Sequence, residues 1–175
     1  MGEYLASTKY IVGTANEYEN FQIPTARKYL GFLMNGFSIC NLWIFDGGPN
    51  KNTLVRVRMA ASGVLSDYPT QPVELLESGS TQISGTHTST GTALVGTGSN
   101  YDGADGQLGV GSRVQAPDGQ VRTIVTITDE TNAVLDAAFV PDLAASTLQR
   151  IDEGLFVRIN TSDVTNAPEA MVRYS

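Results

Sequence analysis

Apolar residues in this chain recur with a period of two, and nothing in its first half sustains over ten residues the spacing of three to four that marks a helix. In "TLVRVRMAA", Val55, Val57 and Met59 alternate with Leu54, Arg56 and Arg58, which predicts a strand with one core face and one face of arginines. In "VRTIVTIT", Val121, Thr123, Val125 and Ile127 alternate with Arg122, Ile124, Thr126 and Thr128. Further strands are expected over 92–96, 112–116, 120–128 and 133–138, separated by Pro117-Asp118-Gly119 and by Asp129 to Asn132. Proline pre-sets φ in the first turn, and the Asp and Asn side chains bond their own backbone in the second. Asn35-Gly36, between "RKYLGFLM" and "FSICNLWIFD", predicts a tight hairpin. Beyond it Phe37, Ile39, Trp43 and Phe45 point one way and Cys40, Leu42 and Ile44 the other, so this strand is expected to be covered on both faces. The pattern predicts an all-β protein.

Punctuation along the chain suggests its organisation. Residues 1–26, including "IVGTANEYENFQIP", read as a short strand and an extended N-terminal arm. Residues 27–85 read as a β-sandwich-like domain, and residues 86–175 as a small β-barrel. The boundary is placed in "ESGSTQISGTHTSTGT", a Gly/Ser/Thr stretch read as a linker grading into a strand. "PDLAASTLQRIDEG" is expected to be a loop with one helical turn, "LFVRIN" a final strand, and "APEAMVRYS" a tail in which Pro168 starts a helical turn.

Composition narrows the function classes. Charged residues are 17% of the 175, against about 25% in an ordinary soluble domain, and depletion of charge is what the centre of a protein interface shows. The net charge of −7 opposes a nucleic-acid partner, which needs a basic footprint to displace counterions. Most of the cations are arginines, the better choice for interface pairing with carboxylates. No stretch is long and apolar enough for a membrane span or a secretory signal, so neither is expected.

Candidate chemistry is sparse. The one cysteine, Cys40, sits in an apolar run and is expected to be buried and inert. The one histidine, His87, lies in the presumed linker and cannot build a His-rich metal site. Asp102 and Asp105 in "GTGSNYDGADG" lack the alternating oxygen ligands and distal glutamate of a calcium loop. No catalytic residue, metal or cofactor is expected. The candidate protein-interface residues are Tyr29, Phe32, Phe37, Trp43, Phe45, Arg56 and Arg58, and Tyr68 and Tyr101 are candidate loop contacts for a receptor or glycan.

The segment "HTSTGTALVGTGSNYDGADGQLGVGSRVQAPDGQVRTIVTITDETNAVLDAAF" resembles a small β-barrel module of tailed-bacteriophage virion proteins. The resemblance rests on a Gly-Thr-Gly-Ser turn at Val95 to Ser99, an "LxVGxRV" step at Leu108 to Val114, an "RTIVxIxD" step and an "LDxAF" step ending at Phe139. It covers under a third of the chain. It implies a non-enzymatic virion structural protein, folded in the bacterial cytoplasm, with a capsid decoration or cement role first. A tail, neck or baseplate component comes second and a receptor- or glycan-binding module third. The implied partners are the major capsid protein or other virion proteins and sister copies, with a trimer expected.

Overall fold

The computed structural model describes residues 7–14, 16–36, 39–59, 63–67, 71–162, 165 and 167–175. The protein is all-β, as the period-two pattern predicts. The strands are β1 Ser7–Val12, β2 Tyr18–Ile23, β3 Lys28–Gly36, β4 Cys40–Asp46, β5 Asn52–Met59, β6 Gly63–Asp67, β7 Val73–Glu74, β8 Gly79–Gln82, β9 Thr86–Thr90, β10 Ala93–Thr97, β11 Arg113–Gln115, β12 Val121–Ile127, β13 Asn132–Leu135, β14 Gln149–Asp152, β15 Leu155–Thr161 and β16 Glu169–Tyr174.

Two antiparallel sheets, in the orders β1-β16-β3-β6 and β2-β15-β4-β5, share one apolar core. Alternation explains why they face each other. Tyr29, Phe32, Met34, Ala170 and Val172 of the first sheet, and Leu42, Ile44, Val55, Val157 and Ile159 of the second, are all buried in that core. Full burial of one such aliphatic or aromatic side chain stabilises by about 1.5–3 kcal/mol. The third sheet runs β8-β14-β11-β12-β13-β10-β9. Its two ends meet, because Ile83, between β8 and β9, donates its N–H to Leu148 O at 2.9 Å and His87 in β9 exchanges backbone bonds with Ser146. A separate core fills it, built from Ile83, Leu94, Tyr101, Leu108, Val114, Ile124, Leu135, Phe139 and Leu148.

Several expectations are corrected. The described part of the expected arm is built into the sheets: β1 pairs with β16 and β2 with β15. The last strands do not join the third sheet. β15 lies between β2 and β4, and β16 lies between β1 and β3 in place of the helical turn expected at Pro168. The third sheet is therefore inserted, from Gly79 to Asp152, into a two-sheet unit built from both chain ends. "ESGSTQISGTHTSTGT" is not a linker, since β8 and β9 are cut from it. On β12 the buried residue is Ile124 while Val125 is 45% exposed, with a register shift between Ile124 and Thr126. A bulge of this kind turns alternate side chains to the other face.

The Asn35-Gly36 hairpin is also absent. β3 continues through Gly36, which pairs with Gly63, while β3 and β4 lie in opposite sheets. Gly36 serves a packing need: a Cβ there would sit 2.3 Å from Cys40 Sγ and 3.0 Å from Met59 Cε. The glycine lets the two sheets approach where the chain crosses between them.

Buried polar groups fix the junction between the two units. Asp46, 1% exposed, accepts hydrogen bonds from the backbone N–H of Leu76 (2.9 Å) and Glu77 (3.3 Å), where the chain leaves for the third sheet. The motif "GVGSRV" makes the other seam. Val110 N–H donates to Asn20 O at 2.9 Å, and Gln22 N–H donates to Val110 O at 2.8 Å. Gly111, with φ of +92°, lies so close to β2 that a Cβ would be 2.3 Å from Gln22 O. The glycines of this step thus let one unit lie flat on the backbone of the other.

Inside the third sheet His87 is fully buried, with Nδ1 2.7 Å from the Tyr101 hydroxyl, the two rings stacked, and Nε2 without a hydrogen-bond partner. Burial pushes its pKa below the ordinary 6.5, partly opposed by the Ile83 carbonyl. The unfolded chain therefore binds this proton more readily than the folded one, and stability falls as pH drops from about 6.5 towards the folded pKa. Urea midpoints between pH 7.5 and 5 are expected to decline in the native protein and to decline less in His87→Gln. Equal slopes would remove His87 as the cause.

Candidate functional site

The outer face of the β2-β15-β4-β5 sheet is where the sequence-derived candidates converge. Directly paired residues share a face, so the register fixes one lateral row as Asn20, Arg158, Trp43 and Arg56. The next row is Gln22, Phe156, Phe45 and Thr53. Trp43 thus lies between two arginines on neighbouring strands, and the Tyr18 ring tilts against it at 6.0 Å between centroids.

The inner half of this face is roofed. Phe156 is fully buried and Phe45 is 5% exposed. Gln22 Nε2 donates to Gly47 O and Glu153 O, and Asn20 Nδ2 donates to Gly103 O at 3.1 Å and Asp102 Oδ1 at 3.3 Å. Beside this roof a hollow of about 400 Å³ opens, lined by Tyr18, Trp43, Phe45, Asn50, Thr53, Arg56, Ala104 and Arg158.

Arg158 is the unusual member. Its residue is 4% exposed, yet no carboxylate of the described residues pairs with it. Nε donates to Asn20 Oδ1 at 2.7 Å and one Nη donates to Gly106 O at 3.0 Å, both neutral acceptors. The guanidinium also lies 5.9 Å from the Phe45 ring centre and 5.8 Å from that of Phe156. Burial lowers its pKa from the ordinary arginine value, and Asp105, Tyr18 and Asp102 pull the other way. A buried cation held only by neutral oxygens and ring faces retains attraction for an anion.

Of the predicted interface residues, Trp43, Phe45 and Arg56 come together here, and Arg58 is exposed on the same face one row away from Trp43. Tyr29 and Phe32 do not belong: each is 2% exposed in the sandwich core, because both fall on the inward positions of β3. Tyr101 is no loop contact, being fully buried in the third sheet's core. Phe37 and Tyr68 lie outside the described residues. Sequence reading missed Tyr18 and Arg158. The signal for Arg158 was the charged residue inside the apolar run "LFVRIN", which a buried central strand does not carry without reason.

Cys40 is buried, its thiol 3.5 Å from Thr161 Oγ1. Among the described residues no cluster of three or more His, Cys, Asp or Glu side chains is placed to hold a metal ion. Compared with protein-family models, curated proteins and solved structures, the chain matches none.

Proposed function

We propose that this chain is a non-enzymatic structural protein of a tailed-phage virion that binds protein, first as a decoration or cement subunit on the outside of the capsid. The observation that carries the protein-binding part is the row Arg158, Trp43, Arg56, held by main-chain register across neighbouring strands with its outer end open. Trp, Tyr and Arg are the residues in which binding energy at protein interfaces concentrates. The low charge content agrees with a subunit that buries surface against neighbours. The virion part rests on the resemblance of residues 87–139, whose glycine-rich step forms the seam between the units.

In this reading the partners are the major capsid protein and sister copies, in a closed oligomer such as a trimer, and binding to the assembled lattice alone stabilises it by mass action. The test is the copy number per purified particle, measured by quantitative mass spectrometry against the shell protein. A decoration subunit is expected in fixed ratio to that protein, on the order of hundreds of copies in a lattice built by symmetry. A much smaller number would assign a neck, tail or baseplate position instead, and absence from particles would overturn the virion reading.

A further inference from the structure

We propose that the hollow beside Trp43 is a carboxylate-binding site that receives an aspartate or glutamate side chain from a protein partner. The inference rests on the protein-binding reading above and names the partner chemistry of the same site.

The argument starts from what the hollow lacks. Arg158 is 4% exposed and lines the hollow, and Arg56 stands across Trp43 on the neighbouring strand. Neither has a carboxylate partner among the described residues. The other buried arginine, Arg150, is arranged differently, with its Nη2 2.7 Å from Asp152 Oδ1. The fold therefore puts a carboxylate in direct contact with Arg150, which is sealed in, and leaves Arg158 with acids only at a distance, Asp105 and Asp102, where it meets a cavity. Tyr18, Trp43 and Phe45 form the apolar wall against which the methylenes of an acidic side chain would lie.

Charge and shape choose among anions. Asp102 and Asp105 are near enough to act on Arg158, which disfavours a dianion such as phosphate more than a single carboxylate. A protein source is favoured by the sheet edge. Among the described residues β5 pairs only with β4, so its outer edge offers backbone N–H and C=O groups beside Arg56. An extended segment of a partner laid along that edge can use them, and its alternate side chains then continue the row that Arg56 ends. Charge complementarity points the same way, since both cations of the row are unpaired.

Trp43 is the one tryptophan in the chain, so its emission reports on this hollow directly. The whole 175-residue chain would be titrated with acetyl-Gly-Glu-Gly-amide, its Gln counterpart, glucuronate and inorganic phosphate. A saturable change in emission is expected with the Glu peptide, at least about tenfold weaker with the Gln peptide, since charge-assisted bonds to arginine are the stronger ones. Arg56→Gln, an exposed substitution that the fold tolerates, is expected to weaken the Glu peptide by about fivefold at unchanged thermal stability. No saturable response to the Glu peptide, or an equal response to Gln, would overturn the site. A glucuronate response tighter than that of the Glu peptide would overturn the protein source in favour of an acidic sugar, and a phosphate response as tight would overturn carboxylate selectivity. Copy number separates the two readings: protein present on particles but indifferent to the Glu peptide removes only this inference, whereas peptide binding by a protein absent from particles removes only the virion role.

Discussion

Asp152→Asn is expected to cost about 3–5 kcal/mol of folding stability, the loss seen when one partner of a buried ion pair is removed and the other is left behind. Asp152 is 2% exposed and Arg150 3%. One carboxylate oxygen accepts from Arg150 Nε at 2.8 Å and Nη2 at 2.7 Å, and the other accepts from Thr81 Oγ1 and lies 3.4 Å from Lys51 Nζ. Asparagine keeps the volume and one acceptor oxygen, but it removes the counter-charge from Arg150 and turns an N–H₂ towards the Lys51 ammonium, which can only donate. Arg150 would keep only neutral acceptors, the amide oxygen and Gln107 O, the latter 2.7 Å from its Nη1. The cluster ties three places together: Thr81 in β8, Asp152 in β14, and Lys51 in the turn before β5. Its loss should therefore loosen the inserted sheet from the two-sheet unit. Urea denaturation at pH 7 measures the cost. The double variant Arg150→Met with Asp152→Leu is expected to recover most of it, because removing both charges leaves neither unpaired. A loss below about 1 kcal/mol in the single variant would mean that the guanidinium is satisfied without its carboxylate.

The network also shows where reading the sequence stops. Period-two alternation on "TLVRVRMAA" assigned Val55 and Met59 inward and Arg56 and Arg58 outward, and the structure places them so. The turns at 117–119 and 129–132 are local too. Asp129 Oδ1 accepts from the N–H of Thr131 and Asn132 at 2.8 and 2.9 Å, and Gly119 takes a φ of +89°. Local chemistry was legible because the residues that decide it are neighbours in sequence. Pairing between distant strands was not. Nothing near Leu155 announces that β15 will lie between β2 and β4, because that choice is made by shared core burial across more than a hundred residues. The Asn-Gly pair misled for a related reason: Gly36 answers to Cys40 and Met59 packed against it, and a turn motif carries no record of such neighbours. In the site, Trp43, Phe45 and Arg56 could be named because β4 and β5 are adjacent strands, whereas Arg158 arrives from the far end of the chain.

Tyr101 puts the same contrast into a number. A tyrosine in "GTGSNYDGADG", between glycines and aspartates, reads as an exposed loop residue, and truncating such a side chain changes stability by less than about 0.5 kcal/mol. The structure instead encloses the ring completely, stacks it on His87, and packs it in the core with Leu94 and Leu108. Its neighbours hold the backbone in place, with Tyr101 N–H donating to Glu130 O at 2.8 Å and Leu108 N–H donating to Tyr101 O at 3.1 Å. Tyr101→Ala is expected to lose about 3–5 kcal/mol, the range for emptying a buried aromatic site that cannot collapse. Tyr101→Phe keeps the ring and removes the hydroxyl, with its contact to His87 Nδ1 and its hydrogen bond with the Ser99 side chain, and is expected to lose about 1–3 kcal/mol. Denaturant midpoints of the two variants separate packing from hydrogen bonding. A Tyr101→Ala loss under about 1 kcal/mol would contradict an enclosed ring. A Phe loss close to the Ala loss would mean that the contacts of the hydroxyl, rather than the ring's volume, organise this core.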